Sequence, residues 1–164
     1  MAVVEGVFNQ LLPQRVDNTY RGHKLALWLF GLLVFMKAAI SLNSIFNGYS
    51  VARSADGIPL DTFTPAGAQT VVTLFGLLGI SQLMFCLLGI LVLARYRAVI
   101  SFMFALMLLE HLSRRLILQL MPIVRTGKPP GTVINLVLLA VMIVGLALSL
   151  WSRDDLQAAE TGQS

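Results

Sequence analysis

The sequence predicts an all-α integral membrane protein, a bundle of four transmembrane helices joined by short loops. Of the 164 residues, 57% are hydrophobic and only 12% are charged, whereas soluble domains are about 45–50% apolar and about 25% charged. The apolar residues form four long blocks, each close to the roughly 20 residues with which a helix crosses a bilayer. Period-2 alternation is absent, and helices leave no backbone group unpaired in hydrocarbon.

The N-terminal segment 1–24 precedes the first span. Apolar residues recur in it at helical spacing, and Pro13 ends the run. The pattern predicts either a short helix on the inner membrane interface or a frayed terminus, because the segment has no basic face. The apolar residues are Val3, Val4, Val7, Phe8, Leu11 and Leu12.

The first span, 25–46, is interrupted by a single charge, Lys37. Its apolar core follows a basic segment and precedes small residues, so a cleaved signal peptide is an alternative interpretation. The polar lead is long for a signal, and the apolar pattern continues to Phe46. We therefore interpret this block as a retained span.

The second span, 68–94, follows Thr64 and Pro65. These two suit an N-cap and a first helical position, because proline lacks the N–H that would be unpaired there. The outer loop before it, 47–67, contains residues typical of turns. The only sizeable polar side chain inside this span is Gln82.

The third span, 98–120, follows a short inner turn, 95–97, and is the anomalous one. It begins with twelve residues that carry no charge, and ionisable side chains then interrupt it. The span is therefore expected to hold most of the chemistry in the membrane. The ionisable residues are Glu110, His111, Arg114 and Arg115.

The fourth span, 133–151, is the plainest, and its terminal Trp151 suits the aromatic belt at a membrane interface. It follows the outer loop 121–132. The tail after it, 152–164, is small, polar and acidic, and we predict that it is disordered.

Four crossings place both termini on one side of the membrane. Lys and Arg number six on that side and three on the other, and cytoplasmic loops carry the excess of basic residues. Both termini are therefore predicted to be cytoplasmic, in a bacterial inner membrane. Adding Arg114 and Arg115 to the outer face narrows the margin to six against five. The six are Arg15, Arg21, Lys24, Arg95, Arg97 and Arg153, and the three are Arg53, Arg125 and Lys128.

Three polar side chains are expected at one depth in the membrane. At about 1.5 Å per residue, Lys37 lies about 18 Å from the cytoplasmic edge, and Glu110 and Gln82 reach about the same level. A charge near the bilayer centre costs about 2.5–3.5 kcal/mol on insertion scales, and pairing reduces that cost. We therefore predict an interhelical contact between Lys37 and Glu110, with Gln82 as an additional hydrogen-bond partner.

Small residues favour close approach of the helices beside these groups. The second span has one stripe of mostly small residues at helical spacing, and the first span has a similar one. The stripes are Gly79, Gln82, Cys86 and Gly89, and Gly31, Ala38, Ser41 and Gly48.

Two interpretations of Arg114 and Arg115 remain open. Their side chains either extend to the outer headgroups along their alkyl stems, or line a polar cavity or an anionic-ligand site. Arg114 follows Glu110 by four residues, so it competes with Lys37 for that carboxylate. His111 is interpreted as a structural hydrogen-bonding partner, with proton transfer as the alternative.

The loop cations Arg125 and Lys128 are candidate contacts for lipid headgroups. The segment that contains them lacks the glycine and the Ser or Thr of a phosphate-binding loop, so the alternative is an ordinary turn between helices. The net charge of +4 comes from basic residues at span ends, which predicts no nucleic-acid site.

The sequence predicts no catalytic residues, no metal site and no cofactor. A nucleophile elbow, a zinc-protease helix and an intramembrane aspartate pair are all missing from the sequence. The single cysteine, Cys86, forms no intrachain disulfide, and the two histidines lie on distant segments.

These observations favour a noncatalytic accessory, assembly or interaction subunit of a membrane complex, which contacts the lipid bilayer and a membrane-protein partner or further copies of itself. The first alternative is a small proton-coupled transporter or permease that uses Glu110. The second is a lipid- or quinone-modifying enzyme.

Overall fold

The computed structural model describes residues 22–127 and 129–151, together with Leu11, Asn18 and Tyr20. Within these residues every regular element is helical. The described residues therefore leave out Lys128 and the tail 152–164. Of the predicted N-terminal interfacial helix, they include only Leu11. The four long helices are α1 (Lys24–Phe46), α2 (Pro65–Arg95), α3 (Ile100–Leu120) and α4 (Pro130–Leu150).

Three of these helices, α1, α2 and α4, are long and apolar enough to cross a membrane. This supports the prediction of an all-helical membrane protein. Helix α3 has 21 residues, but three charges lie within it, Glu110, Arg114 and Arg115. Its length suits a span, whereas its composition alone does not.

The predicted boundaries shift where local chemistry extends or shortens a helix. The hydroxyl of Thr64 accepts a hydrogen bond from the Gly67 amide at 3.2 Å, which confirms Thr64 as the N-cap and Pro65 as the first helical residue. Helix α2 therefore begins three residues before the apolar span predicted from residue 68. Helix α4 likewise begins at Pro130, three residues before the expected start, because proline is compatible with the first turn. Helix α3 starts two residues late, because a 3₁₀ turn, Arg97–Val99, precedes it.

The predicted turn region 47–67 contains short helical segments, followed by turns. Gly48–Ser50 extends the helical path after α1, the π-helical turn Val51–Ala55 follows, and Leu60–Thr62 forms a 3₁₀ turn. A small apolar cluster forms where this segment folds against the start of α2, and it anchors the segment there. The buried members of the cluster are Ala52, Ile58 and Leu60.

The two long loops meet at the same end of the bundle, which we call the loop end. The amide and the hydroxyl of Thr126 both donate to the Gly57 carbonyl, at 2.8 and 3.1 Å. Gly57 has φ +70°, and a Cβ there would lie 3.0 Å from the Thr126 carbonyl oxygen. Glycine is therefore required at this crossing of the two loops. The opposite end, with the tight connection between α2 and α3, is called the turn end.

Helix α1 packs along α2 and α4, α4 packs along α3, and α3 has only a few contacts with α1 and α2. The main apolar core contains buried side chains from all four helices. Phe30 and Phe104 form its aromatic centre, an edge-to-face pair with ring centroids 5.1 Å apart. The buried residues of α3 all lie between Ile100 and Met107, so the core closes the bundle only over the turn-end part of this helix.

Candidate functional site

The close approach of α1 and α2 turns one face of α2 toward the interior. A Cβ on Gly79 would lie 2.9 Å from the Ser41 carbonyl oxygen, and one on Gly89 would lie 2.8 Å from Cγ2 of Val34. Gly79, Cys86 and Gly89 are buried, as expected for the small-residue stripe of this helix.

Lys37 of α1 is buried, and its ammonium group donates a hydrogen bond to Oε2 of Glu110 at 3.1 Å. The pair joins α1 to α3, two helices with few other contacts. One turn after Lys37, the hydroxyl of Ser41 donates to the Lys37 carbonyl at 2.7 Å. The contact expected from counting depths along the helices is therefore present in the structure.

Arg114 binds the second oxygen of the same carboxylate, at 2.6 Å from Oε1 of Glu110. Each oxygen of Glu110 therefore accepts from one cationic donor, and the two cations come from different helices. Such charge-assisted hydrogen bonds are about twice as strong as neutral ones. We call Lys37, Glu110 and Arg114 the ionic clamp.

Gln82 joins the ionic clamp in a different way from the one predicted. Its Oε1 lies 3.5 Å from a terminal nitrogen of Arg114, at the outer limit of hydrogen bonding. Neither Lys37 nor Glu110 forms a hydrogen bond with it, because α2 and α3 have few contacts and the amide does not reach the carboxylate. Its Nε2 is buried and has no hydrogen-bond partner among the described residues.

A cavity of about 260 Å³ opens between the loop-end part of α3 and the beginning of α4. Three arginines line it, together with neutral polar residues and apolar ones. We call it the arginine cavity. Its charged and polar wall includes His111, Arg114, Arg115, Gln119, Arg125 and Asn135.

The loop-end part of α3 has two chemically different sides. Its arginines and His111 contribute to the cavity wall, whereas its large apolar side chains are 45–73% exposed. Both arginines line this cavity and both are exposed, so the two interpretations of these side chains stay open. The exposed apolar residues are Leu109, Leu112, Leu116, Ile117 and Leu120.

Asp56 lies beside the cavity, on the segment that connects α1 to α2. A Cβ added to Gly131, at the start of α4, would lie 3.1 Å from Oδ1 of Asp56. Burial raises the pKa of Asp56, and the charges of Arg125 and Arg114 oppose that increase. The carboxylate is therefore within electrostatic range of two arginines that line the cavity.

The predicted site residues divide into two neighbouring groups. Gln82 accompanies the ionic clamp, whereas His111, Arg115 and Arg125 line the arginine cavity, and Arg114 belongs to both. Sequence reasoning missed Gln119 and Asn135. Gln119 follows Arg115 by four residues on the same helix face, and this spacing could have revealed it.

The described residues contain no group of three His, Cys, Asp or Glu side chains that could hold a metal ion. Comparison of the chain with protein-family models, with curated proteins and with solved structures found no match. A function for this chain therefore has to be argued from the ionic clamp and the arginine cavity.

Proposed function

We propose that this chain is a small multi-pass protein of the bacterial inner membrane that acts by association, as a noncatalytic accessory or assembly subunit of a membrane complex. In this proposal α3 crosses the bilayer with the three more apolar helices, and both termini are cytoplasmic. The excess of basic residues on the side of the termini supports this orientation. The loop end then faces outward.

The ionic clamp supports the crossing of α3. Its three members include two of the three charges on this helix, Glu110 and Arg114, and they are bound to each other and to Lys37. Bound charges cost less in a membrane than isolated ones. The exposed leucines on the other side of α3 suit contact with acyl chains.

The observation that carries the proposal is the incomplete cover of the ionic clamp between α2 and α3. These two helices have few contacts with each other, and the side chain of Arg114 is 48% exposed. Polar groups at this depth require neighbours other than acyl chains. A helix of another membrane protein, with a polar side chain at this level, provides them.

The test uses two neighbouring leucines of α2. Leu78 lies one turn before Gln82 on the same helix face and is 51% exposed, whereas Leu77 is 57% exposed and points about 100° away. We expect the tagged full-length wild type, purified from its native membrane in mild detergent, to retain a stoichiometric membrane-protein partner. Leu78→Trp should reduce that partner about tenfold by occupying the gap, and Leu77→Trp should retain it.

Two results would contradict the proposal. One is a wild type that purifies with no partner, and the other is equal loss of the partner in both tryptophan variants. If the purified complex contains only copies of this chain, the partner is a second copy of the chain and not another protein.

Proton-coupled transport is the second candidate function. It is favoured by the continuity of the ionic clamp with the arginine cavity, because Arg114 belongs to both. Association ranks first because each oxygen of Glu110 already accepts from a cationic donor, an arrangement suited to holding helices together. A proton or solute flux in reconstituted vesicles that Glu110→Gln abolishes would replace association with transport.

A further inference from the structure

The arginine cavity has an excess of positive charge over the carboxylates around it. The cations at the cavity and in the adjoining clamp are Lys37, Arg114, Arg115 and Arg125, whereas the nearby carboxylates are Glu110 and Asp56. Glu110 is already bound by Lys37 and Arg114. Asp56 is within electrostatic range of Arg125 and Arg114, so the four cations exceed the two carboxylates by two charges over the whole group.

Arg115 and Arg125 have no carboxylate oxygen within 4.0 Å in the part of the chain that the structure describes. They belong to different segments, α3 and the loop that follows it, yet both line one cavity. Like charges brought together beside a low-dielectric wall repel each other, and a bound anion removes that cost. The arrangement favours an anion between the two guanidinium groups.

The other residues that line the arginine cavity indicate which kind of anion fits it. Gln119 and Asn135 offer amide groups for hydrogen bonds, and Arg114 contributes a third guanidinium. A guanidinium group binds phosphate oxygens through two parallel N–H donors, and the tetrahedral arrangement of those oxygens lets donors from different segments approach one phosphate from several directions. The cavity of about 260 Å³ has room for more than a phosphate group alone.

We propose that the arginine cavity binds a phosphate group, with Arg115 and Arg125 as the principal ligands and Arg114 as a third donor. The site goes beyond the proposed association and does not require a partner protein, but its assignment to a lipid rests on the proposed crossing of α3.

The surroundings favour a phosphate that belongs to a lipid headgroup over a free phosphate ion. Ile123 and Leu136 also line the cavity, and they are 46% and 56% exposed. With α3 across the bilayer, Arg115 lies about 22 Å from the start of that helix, in the outer leaflet. A glycerophospholipid then places its phosphate among the arginines and its acyl chains against the apolar rim.

The test measures binding to the full-length wild type in a neutral detergent at constant ionic strength. The probes are phosphatidylglycerol, phosphatidylcholine, inorganic phosphate and sodium oleate, which is an anionic amphiphile without phosphate. Lipid adducts are counted by native mass spectrometry, and apparent affinities come from the shift in thermal unfolding temperature with probe concentration. We expect one phosphatidylglycerol per chain, bound more tightly than the other three probes.

Charge-removing variants identify the site. Arg115→Gln and Arg125→Gln should each weaken phosphatidylglycerol binding about tenfold, because each removes a charge-assisted bidentate contact. The matched control is Arg53→Gln, which removes a loop-end arginine that pairs with Asp61 at 2.8 Å and does not line the cavity. The control should leave the affinity unchanged. Arg115→Lys retains the charge but not the planar fork, so it should give an intermediate affinity and serve if the glutamine variant does not fold.

Each outcome decides the proposal. Saturable binding of phosphatidylglycerol that depends on Arg115 and Arg125 supports a lipid phosphate, and equal binding of inorganic phosphate with the same dependence supports a free phosphate. Equally tight binding of oleate would show a general anion effect and overturn the phosphate site. Binding that is unaltered in both glutamine variants, or absent from the wild type, would also overturn it. Loss of the membrane-protein partner in the Leu78→Trp variant bears only on the proposed function.

Discussion

The two parts of α3 show how one helix face performs different tasks at the two ends of the bundle. Phe104 and Met107 are buried in the apolar core, and Met107 extends toward Gly89 of α2. His111 and Arg114 continue the same three-and-four spacing, so they project from the same face. At the turn end that face is closed by apolar packing, whereas at the loop end its polar side chains line the arginine cavity together with residues of α4.

The largest expected effect is a loss of unfolding free energy when a buried side chain of α3 is truncated, compared with an exposed one on the same helix. Phe104→Ala should lower the free energy of unfolding by about 3–5 kcal/mol, because Phe104 is fully buried against Phe30 and Gly145. Leu116→Ala should alter it within about 0.5 kcal/mol, because that side chain is 55% exposed. The measurement is equilibrium unfolding of the purified protein by sodium dodecyl sulfate in mixed micelles. Equal losses in the two variants would mean that the loop-end part of α3 is packed as tightly as the core.

The next effect concerns the ionic clamp. Glu110→Leu should destabilise the protein by about 3 kcal/mol or more, because it leaves the buried Lys37 without a carboxylate. Lys37→Met should cost less, because Arg114 still binds Glu110. The double variant Lys37→Met/Glu110→Leu should cost clearly less than the two single losses combined.

The prediction for the ionic clamp has a matched control variant, and one outcome would contradict it. Asp61→Asn removes the carboxylate of an exposed ion pair with Arg53 and should cost less than about 1 kcal/mol. If the losses from Lys37→Met and Glu110→Leu are additive, the two side chains do not stabilise each other. The yield of folded protein and the same unfolding titration report both outcomes.

The smallest effect tests how tightly α2 approaches α1. Gly79→Ala should destabilise the bundle by about 1–3 kcal/mol, because the added Cβ would lie 2.9 Å from the backbone oxygen of Ser41. Gly76→Ala, one turn earlier, should stabilise it by about 0.5–1 kcal/mol, since nothing lies within 4 Å of a Cβ there and alanine favours the helix. Thermal unfolding in detergent distinguishes the two variants. A stabilising Gly79→Ala would show that α1 and α2 are separated more widely than in the structure.

The common level of Lys37 and Glu110 along their helices could be predicted from the sequence, because a helix advances by a constant rise per residue. Counting places Lys37 and Glu110 at one level, and opposite charges at one level in a membrane favour pairing. The same count placed Gln82 at that level without determining its rotation about α2. Its amide therefore contacts Arg114 instead of the predicted Lys37 and Glu110.

The arginine cavity depends on the separation of two helices, and no periodicity in one helix predicts that distance. His111, Arg114 and Leu118 share a face that the spacing does reveal. Whether that face packs closely or borders a space depends on α4, whose early residues Thr132 and Asn135 provide the opposite wall. The contribution of Arg125 depends in addition on the path of the loop after α3.

The amino-acid sequence by itself determined the helical class, the apolar segments and the matching level of Lys37 and Glu110 along their helices, because these follow from composition, length and a regular rise along each chain segment. The tertiary structure alone decided which oxygen of Glu110 each cation binds, how Gln82 is oriented and that Arg115 and Arg125 share one cavity. These features depend on rotations and distances between helices, which are set by contacts among residues far apart in the chain.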